Sequence, residues 1–210
     1  MLISERAQQG LRERARTDKR ERILAAGRLL FARDGFHGTT TREIAQHAGI
    51  GTGTLFLYFP EKRDLLLQLF KDDVDPVHRG AVAGLDPDAR LLDALARVFR
   101  SLFEYYARDL RLSRVFLSEL AFLDADRRAA LMSFTLEFLR ALAALVERAQ
   151  ARGEVRAEAD PLRAANTLFR LYYAVLIQWI GGGLPSPVAA ESELRDSLSL
   201  LLGGLAGSAA

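Results

Sequence analysis

Side chains able to do covalent or metal chemistry are few in this 210-residue chain, and their spacing is unpromising. It has three histidines, His37, His47 and His78, far apart, and no cysteine. Metal ligation and nucleophilic catalysis need such groups gathered on one element, so a histidine cluster, a thiolate site and a disulfide framework are all unexpected. No glycine-rich loop carries an adjacent lysine, and there is no nucleophile elbow. Gly51-Thr52-Gly53-Thr54 contains a GxG, but a helical pattern precedes it where a dinucleotide site needs a strand. The expectation is a protein with no catalytic residues, no cofactor and no metal. What remains is recognition chemistry, concentrated between Gly38 and Arg63. Hydroxyls at Thr40, Thr41 and Thr52, and cations at Arg42 and Lys62, suit anions, and the small residues from Gly51 to Thr54 let an anion approach exposed backbone N–H groups.

Positioning these groups requires two short helices and a tight turn. Thr40 with Glu43 three residues later is a capping-box signature, followed by a small apolar stripe of Ile44, Ala45 and Ala48. Gly49 suits a helix C-terminal cap at positive φ, and Ile50 plugs the turn. The second helix ends at Phe59, because Pro60 disfavours the α region in the residue before it. About seven residues make a helix roughly 10 Å long, a probe sized for a DNA major groove about 12 Å wide. Upstream, Ile23, Leu24, Ala26, Gly27, Leu30 and Phe31 predict a supporting helix from Asp18 to Arg33, with Asp18 as N-cap and Gly35 beyond the end. Downstream, Leu65, Leu66, Leu69 and Phe70 predict a helix from Pro60 to about Val74. Residues 1–17 are basic and poor in apolar side chains, which predicts a mobile arm, either a plain solvated tail or one that reaches DNA phosphates or the minor groove. Residues 1–71 hold 13 Lys/Arg against 8 Asp/Glu, a net charge of +5, while the remainder carries −3. The basic half thus holds the two short helices, as a phosphate-seeking surface requires.

The run Gly49-Ile50-Gly51-Thr52-Gly53-Thr54-Leu55-Phe56-Leu57-Tyr58-Phe59-Pro60-Glu61-Lys62 resembles the recognition helix and following turn of the tetracycline-repressor (TetR) family of bacterial regulators. Thr40-Thr41-Arg42-Glu43-Ile44-Ala45 resembles the helix before it, and the likeness reaches upstream through Arg22-Ile23-Leu24-Ala25-Ala26 and Leu30 to Phe36. About fifty residues are covered. The resemblance implies that Thr40, Thr41 and Arg42 meet phosphates, that Thr52, Gly53 and Phe56 face the groove, that Tyr58 and Lys62 grip phosphates beyond it, and that Gly51, Thr54 and Leu57 also belong to the DNA-binding set. Three positions depart from the usual pattern: Gly51 replaces a serine, and Phe56 and Leu57 stand where aromatic or histidine side chains are usual. Phe56 and Leu57 can touch thymine methyl groups but donate no bidentate hydrogen bonds, so phosphate positioning and DNA shape are expected to carry more of the recognition.

The rest of the chain reads as helices beginning near Asp86-Pro87, Leu110, Asp126, Asp160-Pro161 and Glu191. No strand-period segment or internal repeat is found. The expected fold is all-α: residues 18–75 form a helix-turn-helix DNA-binding domain, and residues 76–210 a larger helical domain for ligand binding and dimerisation. Phe99, Phe103, Tyr106, Phe134, Phe138 and Tyr173 are candidates for one apolar pocket, since a ligand-relieved repressor needs a small molecule to bias two states. Few charges fall among these faces, which favours an apolar or weakly cationic ligand. Residues 162–180 are apolar nearly all round, and Leu194, Leu198 and Leu202 add a second stripe. Intrachain core and a second copy of the chain both account for that; the resemblance favours a homodimer through Leu168, Tyr172, Leu176, Leu194, Leu198 and Leu202. With charge at the N-terminus and no long uncharged apolar run, membrane association is not expected, and a cytoplasmic location is. The resulting expectation is a dimeric repressor of a palindromic operator; the rival is a helical interaction module that does not bind DNA.

Overall fold

The computed structural model describes residues 2–120 and 122–205, with side chains placed for 9–120 and 122–204. The described residues form nine α-helices and no strand: α1 Leu2–Asp34, α2 Thr41–His47, α3 Thr52–Tyr58, α4 Lys62–Ala83, α5 Leu91–Ala107, α6 Leu110–Leu120, α7 Ala125–Ala151, α8 Pro161–Ile180 and α9 Pro187–Leu205. Two compact units are present, Met1–Asp72 and Asp73–Ala210.

In the first unit, α1 buries Ile23, Leu24, Ala26, Leu30 and Phe31. The arm expected before residue 18 is instead the first part of α1. Its Arg, Glu, Gln and Ala residues are strong helix formers. Asp18, expected as a cap, pairs with Arg22 one turn on at 3.2 Å. Gly35 ends α1 at φ 77°, and Gly49 ends α2 at φ 64°, conformations that cost a glycine little. The buried hydroxyl of Thr39 donates toward the Gly35 and Leu30 carbonyls at 2.8 and 3.2 Å, so the connection between α1 and α2 leaves no unpaired hydroxyl in the core. Gly27 keeps α1 close to α4: a Cβ there would lie 2.7 Å from Leu65 Cδ2.

α4 does not stop near Val74 as the sequence suggests; it runs through Pro76. Val74 and Leu69 are buried on one side of it, and a pair between Asp75 and Arg79 at 2.8 Å spans the proline. Burial of Leu69 and Val74 ahead of Pro76, with the ion pair across it, outweighs the one helical hydrogen bond the proline cannot donate.

The second unit is a bundle in which α7 packs on α8, α8 on α9, and α5 on both α7 and α9. Asp124 and Asp160 cap α7 and α8, accepting from the Arg127 and Arg163 backbone at 2.9 and 2.6 Å. Arg195 binds Asp93 at 2.6 Å, and Arg100 binds Glu191, tying α9 to α5. The centre is aromatic and aliphatic: Phe99, Phe103, Leu95, Leu102, Leu142, Leu168, Tyr172 and Leu176 are all buried.

Candidate functional site

Helices α2 and α3 form the short pair that sequence reasoning singled out. Thr40 closes a complete capping box: its hydroxyl accepts from the Glu43 backbone at 3.2 Å, while its own backbone N–H and hydroxyl donate to Glu43 Oε2 at 2.8 and 2.7 Å. These bonds hold the Glu43 carboxyl below the ordinary range. They also commit both Thr40 donors within the chain, so Thr40 acts first as a cap. Thr41 is half-buried beside it and Arg42 is exposed. In α3 the one buried side chain is Leu55; Thr52, Thr54 and Tyr58 are half-buried, and Gly51, Gly53, Phe56 and Leu57 are exposed. These positions lie on the adjacent helices α2 and α3 and their caps, whereas Lys62 begins α4. Its ammonium donates to the Phe36 and Thr39 carbonyls at 2.6 and 2.7 Å and lies 4.4 Å from the Phe36 ring centroid. Lys62 is a tether that fixes the loop before α2 to the start of α4, and its reading as a phosphate grip is corrected accordingly.

The second unit contains a cavity of about 410 Å³ between α4 and α7, lined by Asp75, His78, Arg79, Val82, Ala83, Phe134, Glu137, Phe138 and Ala141. Of the six aromatic residues expected to share a pocket, only Phe134 and Phe138 line it. His78 stacks on Phe138 at 3.9 Å between centroids and on Phe134 at 5.4 Å. Burial pushes the His78 imidazole down to about 4, a shift only partly opposed by Asp75, so it is neutral near pH 7. Sequence reasoning missed His78, although a signal existed. Val74, His78 and Val82 share one face once the helix is continued past Pro76.

The other four expected pocket residues lie elsewhere: Phe99, Phe103 and Tyr106 are buried and Tyr173 is half-buried. Phe99 stacks on Tyr172 at 4.7 Å, Phe103 meets Tyr172 at 5.4 Å and Trp179 at 5.8 Å, and Tyr106 packs against Tyr105 at 5.3 Å. Phe169 joins the two groups, 6.1 Å from Phe138, 5.9 Å from Tyr172 and 6.3 Å from the half-buried Tyr173. They form one aromatic core, and its α4–α7 end opens into the cavity. The Tyr172 hydroxyl is buried there without a hydrogen-bond partner, and burial raises the pKa of Tyr172 and Tyr106 well above the usual tyrosine range.

The expected dimer residues are also corrected. Leu168, Tyr172, Leu176, Leu194 and Leu198 are buried within their own chain, at no more than 2% exposure. Only Leu202 keeps partial exposure. The faces α8 and α9 leave open carry Leu162, Ile177, Val188 and Leu200. An all-round apolar helix does not reveal from sequence which side its own bundle takes.

Comparison with known proteins decides the family. Residues 23–69 match the family described as bacterial regulatory proteins, tetR family, and residues 87–179 match the tetracyclin repressor-like C-terminal domain. The HTH-type transcriptional repressor KstR2 of Rhodococcus jostii is 31% identical over 198 residues, covering 91% of this chain and 93% of the relative. The chain belongs to the TetR family. It is a DNA-binding transcriptional regulator, and the α2–α3 pair is the helix-turn-helix of that family. Among solved TetR structures, Thermus thermophilus FadR in complex with lauroyl-CoA has a TM-score of 0.75 at 30% identity, covering 91% of this chain and 97% of that one. Bacillus subtilis FadR in complex with stearoyl-CoA shares the fold, with a TM-score of 0.69 at 24% identity and coverage of 88% and 98%.

Proposed function

We propose that this TetR regulator is a cytoplasmic homodimeric repressor of a palindromic operator, released when a ligand with a long apolar chain enters the α4–α7 cavity, and that the ligand is a fatty acyl thioester of the acyl-CoA class. The cavity carries the proposal: it has a volume typical of small-molecule sites, its lining is largely apolar and aromatic, and its imidazole is neutral. The lauroyl-CoA bound to the Thermus relative supports the ligand class. The apolar part of the sequence expectation is kept. A weakly cationic ligand is not, because a CoA carrier is phosphorylated. Arg42, Thr52, Phe56, Leu57 and Tyr58 are the proposed DNA contacts, and the open faces of α8 and α9, with Ile177 and Leu200, are the proposed dimer surface.

Acyl-CoAs of graded chain length, screened by thermal shift and then titrated with and without an operator duplex recovered from a random pool, test this reading. Coupling of about 1–3 kcal/mol, roughly 5- to 150-fold, is expected, with operator weakening ligand binding by the same factor. Acyl-CoAs that bind equally well in both conditions would rule the class out as inducers. Sedimentation showing a monomer at operator-binding concentrations would remove the dimer.

A further inference from the structure

The outward face of α3 is apolar where a helix that reads base edges by hydrogen bonding is polar. At about 100° per residue, Leu57 and Gly53 lie nearly opposite Leu55, the side chain that anchors the helix, and Phe56 lies beside them. The exposures follow that wheel: Leu55 1%, Phe56 44% and Leu57 84%. No residue from Gly49 to Pro60 is charged or carries an amide, so α3 holds no side chain for a bidentate contact to guanine or adenine. The glycines on this face are not needed by the protein itself. A Cβ on Gly51 or Gly53 meets nothing within 4 Å, and neither takes a positive φ. Gly53 nonetheless weakens a helix of only seven residues. A bare first turn and a protruding leucine in the second suit a surface that must be approached closely and presents isolated apolar groups. The net charge of +5 on residues 1–71 selects a polyanion as that surface.

We infer that this regulator recognises its operator chiefly through thymine 5-methyl groups, which Leu57 and Phe56 cover in the major groove while Gly53 lets the helix backbone come close. The inference rests on α3 being the helix that enters the groove. Its test uses the full-length protein and a duplex recovered by selection from a random pool, resynthesised with deoxyuridine for thymidine at one position at a time, which removes the methyl and leaves every hydrogen-bonding group. At least one substitution per half-site is expected to weaken binding about three- to fivefold, the ratio that burying one methyl group gives. In a variant carrying both Phe56→Ala and Leu57→Ala the thymidine and deoxyuridine duplexes should bind alike, with the deoxyuridine affinity near that of the unsubstituted protein. Gly53→Ala separates a structural role from a recognition role. It should shift the folding equilibrium about two- to fivefold toward the native state while lowering operator affinity. Deoxyuridine duplexes binding as tightly as thymidine ones, methyl sensitivity surviving the double substitution, or Gly53→Ala leaving affinity intact would each overturn the inference while DNA binding stood. Failure to retain any duplex at low salt would overturn it together with the assignment of α3.

Discussion

The two ends of this chain use apolar side chains in opposite ways. On α3, Phe56 and Leu57 are left in water, although a seven-residue helix has little core of its own to spare. In the second unit, aromatic rings from α5, α7 and α8 are packed against one another, and Phe134 and Phe138 border a cavity. An exposed apolar residue on a short helix invites a partner, since nothing in the chain explains it. A buried one is explained by its own core, and function shows only where that core fails to close.

The widest separation between the two regions is expected from a charge. Leu198 is fully buried, so Leu198→Glu should cost more than about 4 kcal/mol and unfold the second unit. Circular dichroism melts should show this directly; a folded, well-behaved monomer would instead place Leu198 at a surface. On the open face of the same helix, Leu200→Glu should leave the melt unchanged and act only on dimerisation, which sedimentation reads.

The next effect comes from pH. His78 holds a folded value of about 4 against an ordinary 6.5, because burial favours the neutral ring. The unfolded chain therefore binds the proton more tightly. Stability is fully present above about pH 6.5 and is lost as pH falls toward 4, by up to about 3 kcal/mol. His78→Phe should flatten that part of the profile in melts between pH 7 and 4, and an unchanged slope would assign the loss to other groups.

Smaller effects probe the first unit. Lys62→Ala leaves two backbone carbonyls without their donor and should cost about 1–3 kcal/mol. Measured against salt, operator affinity in that variant should keep its slope; a drop of about one unit would restore a phosphate contact. Thr40→Ala removes an N-cap and should cost about 0.5–2 kcal/mol in a melt, a loss that vanishes only if the Thr40–Glu43 bonds do not form in solution.

Legibility in the sequence divides along the same line. The capping box at Thr40, the glycine stop at Gly49, and α3 with its end before Pro60 depend on neighbours a few residues away, and local chemistry was enough to place them. Lys62 was misjudged because its partners, Phe36 and Thr39, lie more than twenty residues upstream. The aromatic set was found as a set, yet its division into closed core and cavity depends on how three helices meet, which periodicity does not encode. His78 was lost at Pro76, where a sound local rule about proline met a helix that continues through it.

That proline has a mechanical consequence. In an intact helix residue 76 would donate to the carbonyl of Asp72, the last residue of the first compact unit, and Pro76 has no proton to give. The turn of α4 at Pro76 is thus one hydrogen bond short of a regular helical turn, and bending it there costs correspondingly less than bending an uninterrupted helix.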